Sequence, residues 1–324
     1  MQKLTLTEIT DRLTLVVLQI SIWSGRKKLR AEDLSINGAF PPGDLVSLGS
    51  KRVCDPEQLK VFARLKQATE RACLKYGTRF LGGYAVPTDK ADELVASLSN
   101  YAKEFQSETN SFVADYEQSV ERWVQTLPEF EAPIRAAIEP VDAVRNRFRF
   151  SYQLVRVSPA SNAGMLDQEV ASLGDGIFGE IEQMARELSG SFVGKDKLHR
   201  RALNTFHRVK EKLNCLSFVD NRLDPVVKTI DDWLCRLPDQ DQGPIDGGLF
   251  LEGYALALLL SDSNLMAKHG AGQLSMAEAA AEAKALSRQQ SVANKKTNHE
   301  DELVTVPLSR NNSVTKPAPA SFFF

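Results

Sequence analysis

One periodicity constrains this chain more than any other. Between Pro87 and Pro128, Leu94, Leu98, Tyr101, Phe105, Thr109, Phe112, Tyr116, Val120, Trp123 and Leu127 recur at steps of four, three and four. Only Thr109 among them is not apolar. Eleven residues per three turns is about 3.67 residues per turn, so the stripe barely drifts around an α-helix. The spacing predicts a helix from Thr88 to Leu127, about 60 Å long at 1.5 Å per residue. A stripe this narrow predicts a second long helix alongside rather than a globular core.

A second segment repeats the pattern. Leu166, Val170, Leu173, Ile177, Ile181, Met184 and Leu188 follow the same cycle, which Gly190 and Gly194 interrupt. It resumes at Leu198, Ala202, Phe206, Val209, Leu213 and Leu216 and runs on to Trp233 before Pro238. Two long segments of matching period, joined by a compact insert, predict an antiparallel helical hairpin or coiled coil. Charge agrees: residues 88–127 hold eight acids and three bases, whereas residues 195–212 hold seven bases and two acids. Arms of opposite sign are expected to lie on each other.

Three short stretches predict strands. Leu15–Trp23 is rich in β-branched residues, Arg79–Val86 carries a Gly82-Gly83 pair suited to a bulge or a close backbone approach, and Phe148–Val155 alternates apolar and polar. Together they predict a small mixed β-sheet near one end of the helices, with Trp23, Phe80, Tyr84 and Phe150 gathered in its core. Asp55-Pro56-Glu57 opens another helix, with Asp55 as N-cap and Pro56 at the first helical position, and Gly77 stops it. Pro133 and Pro140 are expected to start two short helices. Leu249–Met266 should pack back on the bundle, and Ser275–Glu278 forms a capping box. From Ser291 the composition turns polar, which predicts disorder. The fold class is therefore mainly α (α+β). Its regions are residues 1–87, 88–163, 164–270 and 271–324, the last a helix fading into a disordered C-terminal tail.

Composition narrows the function classes. A net charge of −2 gives neither the basic excess of a dedicated nucleic-acid binder nor an acidic excess. Four widely spaced cysteines without C-x-x-C suit reduced thiols in a cytoplasmic protein better than a disulfide frame or a zinc site. The N-terminus is not a secretory signal, and no apolar run is long enough to span a bilayer. Gly174-Asp-Gly176-Ile-Phe-Gly179 matches G-x-G-x-x-G formally. It lies inside a helical stripe, however, where a dinucleotide site needs a strand before it and a helix after it, so it reads as a chance match. His199, His207, His269 and His299 form no metal-ligand set, and neither a P-loop nor G-x-S-x-G occurs. No catalytic residue, metal or cofactor is expected, and the chain is read as a non-enzyme.

Three basic clusters remain. Arg26, Lys27, Lys28 and Arg30 form the first, Arg145, Arg147 and Arg149 the second, and Lys195–Lys212 the third. The first two are candidate phosphate-contacting residues; solvation or internal pairing is the alternative for each. At the C-terminus, Phe322, Phe323 and Phe324 end a polar segment and are candidate anchors for docking in a partner's pocket.

SIWSGRKKLRAEDL, PPGDLVSLGSKRVCDPEQLKVFARLK and YGTRFLGGYAVP are long idiosyncratic blocks. They resemble a bacterial family known as a domain of unknown function, DUF3150. The resemblance is clearest over roughly residues 15–130 and looser to about residue 270; the tail is not covered. It implies a setting on plasmids, integrative elements or phages. It also implies two neighbours, a MoxR-like AAA+ ATPase similar to the cobaltochelatase small subunit and a von Willebrand A-domain protein similar to its larger partner. No catalytic residue carries over. The expected function is a non-enzymatic adaptor or scaffold in such a system, and the alternative is a sequence-nonspecific DNA-binding protein of the same elements.

Overall fold

A four-stranded antiparallel sheet organises the molecule, in the order β4-β5-β1-β6. The computed structural model describes residues 6–29, 49–158, 164–238, 243–278 and 281. After a short helix α1 (Leu6–Asp11), strand β1 (Leu13–Ser21) runs through the middle of the sheet. β4 (Thr78–Phe80) and β5 (Gly83–Pro87) form a hairpin on one side of it, and β6 (Arg149–Val155) lies on the other. The expected mixed sheet is thus antiparallel throughout. Arg79–Val86, expected as one strand with a bulge or a close backbone approach at its glycine pair, is a hairpin turning at Leu81-Gly82. Both turn residues have positive φ, 46° and 74°, as a tight two-residue turn between twisted strands requires. The close approach expected at the glycine pair is real: a Cβ on Gly83 would lie 2.6 Å from the Val16 carbonyl oxygen.

Alternation along β1 splits the apolar residues between two faces. Val16 lies opposite Tyr84 and Leu154, and packs with Val86, Cys73 and Tyr76 against Leu94 and Leu98. Leu13 and Leu15 point the other way, onto Phe80, Ala85, Val170 and Leu173. The four aromatics expected in one sheet core therefore separate. Phe80 and Tyr84 take opposite faces, while Trp23 and Phe150 join a third cluster beyond the sheet.

That third cluster is built on α3 (Ala91–Thr126), the 36-residue helix that the stripe predicts. Leu94, Leu98, Phe105, Thr109, Phe112, Tyr116 and Val120 are buried along it. Near its C-terminus the buried line passes through Val124, leaving Trp123 and Leu127 half-buried. Its neighbours are α2 (Lys60–Tyr76), α4 (Glu131–Arg135), α5 (Val141–Arg145) and β6. Asp55 caps the turn leading into α2, its Oδ1 accepting from the Glu57 N–H at 2.9 Å. Phe62 and Phe105 meet edge-to-face at 5.2 Å, and Phe148 tilts onto Phe62 at 4.6 Å. Pro140 stands at the N-cap of α5, whereas α4 starts two residues before Pro133.

The second long segment is no matching rod. It comprises α6 (Gly164–Ala185), α7 (Leu203–Leu216) and α8 (Leu223–Leu234), folded on one another with α9 (Gly247–Leu260) and α10 (Ser263–Gly270). A two-stranded pair, β7 (Lys197–Leu198) and β8 (Ile245–Asp246), closes one side. Their shared core runs from Ile177 through Phe206, Leu213, Ile230 and Trp233 to Leu260 and Met266. The expected hairpin of two long arms is therefore replaced by two helical layers flanking a sheet. The opposite charges do not pair either: Lys210 pairs with Asp231 and Lys212 with Glu180, both outside residues 88–127. Gly174, Gly176 and Gly179 all lie within α6, so the G-x-G-x-x-G match has no strand before it.

Lys212 joins the halves. Its side chain is 2% exposed, and Nζ donates to the Leu74 and Gly77 carbonyls at the end of α2, both at 2.8 Å, and to Glu180 at 2.7 Å. Glu180 also accepts from the Arg79 N–H at 3.0 Å. Burial lowers the Lys212 pKa; the charge and hydrogen bond of Glu180 oppose that shift without cancelling it. The capping box at Ser275 and Glu278 forms as expected, each residue's N–H bonding the other's side chain. The tail from Ser291 and its Phe322–Phe324 terminus lie outside the described residues.

Candidate functional site

Immediately after β1 the chain makes a two-stranded ribbon from β2 (Arg26–Lys28) and β3 (Ser50–Arg52). The register places Arg26 opposite Arg52 and Lys27 opposite Lys51. Two cross-strand pairs of like charge are unfavourable in isolation. The ribbon is held in place by its flanks. Trp23 is buried against Phe112 and Tyr116, with centroids 6.0 and 5.5 Å away. Gly25 has φ +62°, and a Cβ there would sit 2.7 Å from the Cys54 sulfur, so the chain crosses Cys54 only because this residue has no side chain.

Glu139, in the turn before α5, ties this ribbon to the second basic cluster. Its Oε2 accepts from the Trp23 indole at 3.0 Å, and its Oε1 pairs with Lys27 at 2.6 Å and Arg147 at 2.9 Å. The Glu139 side chain is only 12% exposed. Burial raises its pKa, but the bonds from Lys27 and Trp23 and the charges of Lys27 and Arg147 outweigh that, and the carboxyl titrates below its ordinary range. One partly buried carboxylate thus gathers cations that lie 120 residues apart in sequence.

Strand alternation divides the ribbon's charges between two faces. Lys27 and Lys51 are half-buried, Lys27 facing Glu139; Arg26, Lys28 and Arg52 are exposed. On the exposed side a cleft of about 210 Å³ opens between the ribbon and the start of α2. Ser24, Gly25, Arg26, Arg52, Cys54 and Lys60 are among its walls. Lys60 pairs with Glu57 at 2.7 Å across one helical turn. Burial, and secondarily the charge of Asp55, pushes the Cys54 thiol up to about 12, so it stays neutral at physiological pH.

Of the residues singled out from sequence, Lys27 and Arg147 meet at Glu139. Arg145 and Arg149 are exposed beside them, at the end of α5 and the start of β6. Arg30 and Phe322–Phe324 lie outside the described residues. The third basic set is largely consumed internally. Lys212 is buried, Lys210 is paired, Lys195 bonds the Ser191 carbonyl, and Arg200 donates to the Pro238 and Gly243 carbonyls at 2.8 Å. His199 and His207 are exposed, as expected for solvated side chains. Sequence reading missed Arg52, Lys60 and Glu139. Ser-Lys-Arg at 50–52 was visible, but only strand pairing brings it to Arg26.

All four cysteines are free thiols, Cys54 and Cys73 buried. Among the described residues no group of three His, Cys, Asp or Glu side chains is placed to hold a metal ion, and no helix is long and apolar enough to cross a membrane. No curated protein and no solved structure matches the chain. A family model does, over residues 10–262, from within α1 to the N-cap of α10 and so across both helical layers and the basic ribbon; the chain belongs to DUF3150, a protein family of unknown function.

Proposed function

We propose that this protein is a non-enzymatic adaptor, working with a MoxR-like AAA+ ATPase and a von Willebrand A-domain protein encoded on a mobile element. The partners rest on the family resemblance. The observation that carries an adaptor role is strand β6. It is an outer strand of the sheet, paired with β1 on one side, and it exposes Leu154 and Val155 at 41% and 43%. Phe130 and Ile138 are also exposed in the connection between α3 and α5. An outer strand bearing apolar side chains is a template for strand addition by a partner. Copurification of the full chain with the two purified partners in ATP tests this reading. Leu154→Lys with Val155→Lys should abolish the complex and leave melting unchanged. Absence of any complex with the unmodified chain, or a complex indifferent to both substitutions, would overturn it.

A second reading, sequence-nonspecific DNA binding, is favoured by the convergence of the first two basic clusters on Glu139. Phosphate contacts of this kind are sequence-independent and weaken steeply with salt. A mobility shift present at low salt and lost on salt addition is the expected result.

A further inference from the structure

We propose that Arg26 and Arg52, at the mouth of the cleft between the ribbon and α2, form a binding site for a single phosphate group. For the source of that phosphate, the backbone of nucleic acid, the proposal rests on the second reading above.

The first support is the register. Val53 N–H donates to the Gly25 carbonyl at 2.9 Å, and Leu29 N–H to the Gly49 carbonyl at 3.1 Å. Hydrogen-bonded and non-hydrogen-bonded pairs alternate along an antiparallel ladder, so Arg26 and Arg52 occupy a non-hydrogen-bonded pair, the closer of the two kinds. Two guanidinium stems therefore leave the same face from directly opposed positions, where an opposite charge would stabilise the ribbon and a like charge weakens it. Proteins break local rules of this kind at functional positions and offset the cost elsewhere, here through the ribbon's flanks.

The second support is the fate of the other cations. Lys27 is neutralised by Glu139, Lys60 has Glu57, and Lys51 has a partner of its own. Arg26 and Arg52 have no ion pair among the described residues, and their mutual repulsion is what a bound anion would relieve. The planar guanidinium fork suits a phosphate oxyanion in a way that a lysine does not.

The third support is size and polarity. The cleft of about 210 Å³ is smaller than the ~300–1,000 Å³ of sites that enclose a whole small-molecule ligand, so it suits a group rather than a nucleotide. Among the described residues three cations and no acid line it, with the Ser24 hydroxyl, which accepts from the Arg26 N–H at 3.3 Å, on its wall. The Cys54 thiol, held neutral, adds no opposing charge. Lys28 lies on the same exposed side of the ribbon and extends the positive line.

Two probes on the full chain test the proposal: inorganic phosphate by calorimetry, and a labelled duplex of about 20 base pairs by anisotropy across a salt series. Three proteins are compared, the unmodified chain, Arg26→Gln with Arg52→Gln, and Arg145→Gln with Arg149→Gln. The first double variant should lose phosphate binding. It should also weaken duplex binding about tenfold or more and lower the log–log salt slope by about one, the signature of one lost phosphate contact. Its melting temperature should equal or exceed that of the unmodified chain, because a repulsion has been removed, and this separates lost binding from lost folding. The Arg145/Arg149 variant should keep phosphate binding. Duplex and phosphate binding both unchanged in the Arg26/Arg52 variant would overturn the site while leaving the nucleic-acid reading intact. Phosphate bound through Arg26 and Arg52 with no duplex binding by the unmodified chain would overturn nucleic acid as the source and keep the oxyanion site.

Discussion

Residues 91–126 and residues 164–234 carry the same four-three-four apolar cycle, yet the first is one rod and the second is three helices folded on one another. The cycle states which side of a helix is apolar; it does not state how far the helix runs. α3 contains neither glycine nor proline over its 36 residues, so nothing interrupts it. The second segment is interrupted twice. Gly194 turns with φ +72° before β7, and between α7 and α8 the Asp220 carboxylate accepts from the Arg222 N–H at 2.9 Å, a side-chain turn that competes with helix continuation. Once broken, the segment buries its stripe on itself from Ile177 onward, while Val170 and Leu173 pack on the sheet. α3, unbroken, must take its partners from elsewhere, namely α2, β6 and the short helices after it.

The largest effect should come where the two regions are locked together. Lys212→Ala leaves Glu180 and two carbonyls at the end of α2 without their buried cation, and should cost roughly 3–5 kcal/mol in urea unfolding. A loss below about 1 kcal/mol would show that the halves hold together without it. Within the rod, Phe112→Ala should cost about 3–5 kcal/mol, since the ring is 8% exposed among Trp23, Phe62, Tyr116 and Phe148. Trp123→Ala should cost roughly half as much, because Trp123 is half-buried and its enclosed indole N–H has no partner among the described residues. Equal losses would place the helical phase at Trp123 rather than Val124.

The folded-back region offers a finer contrast inside one motif. A Cβ on Gly174 would overlap the Asp220 carboxylate, whereas Gly176, two residues on, has open space around it. Gly174→Ala should destabilise by about 1–3 kcal/mol through forced displacement of Asp220 and Arg222. Gly176→Ala should stabilise by about 0.5–1 kcal/mol, as removal of glycine from an exposed helix position does. A dinucleotide site would respond differently, with loss of ligand rather than opposite shifts in melting temperature.

The smallest effect concerns the ribbon's anchor. Glu139 has a depressed carboxyl pKa in the folded protein, so its contribution is present above the unfolded-state value of about 4.5 and is lost as pH falls through the lower folded value. Stability should therefore decline on the acid side of that range in the unmodified chain, with a shallower decline in Glu139→Gln. Identical pH profiles would mean that Lys27, Arg147 and Trp23 are held without the charge.

Local chemistry alone was enough for the extent of α3, the Asp55 cap, the strand around Leu15 and the capping box at Ser275, because each depends on neighbours a few residues away. The basic residues at 26–28 and 145–149 were legible as clusters, but their meeting at Glu139 was not, and neither was the pairing of Arg26 with Arg52. Those contacts span roughly 25 to 120 residues of chain, and no periodicity records them. Tertiary structure also decided which stripes meet. Burial is non-directional, so an apolar face specifies that it will be covered and leaves the covering partner to chain breaks, loop lengths and the buried Lys212 that fits between α2 and α6.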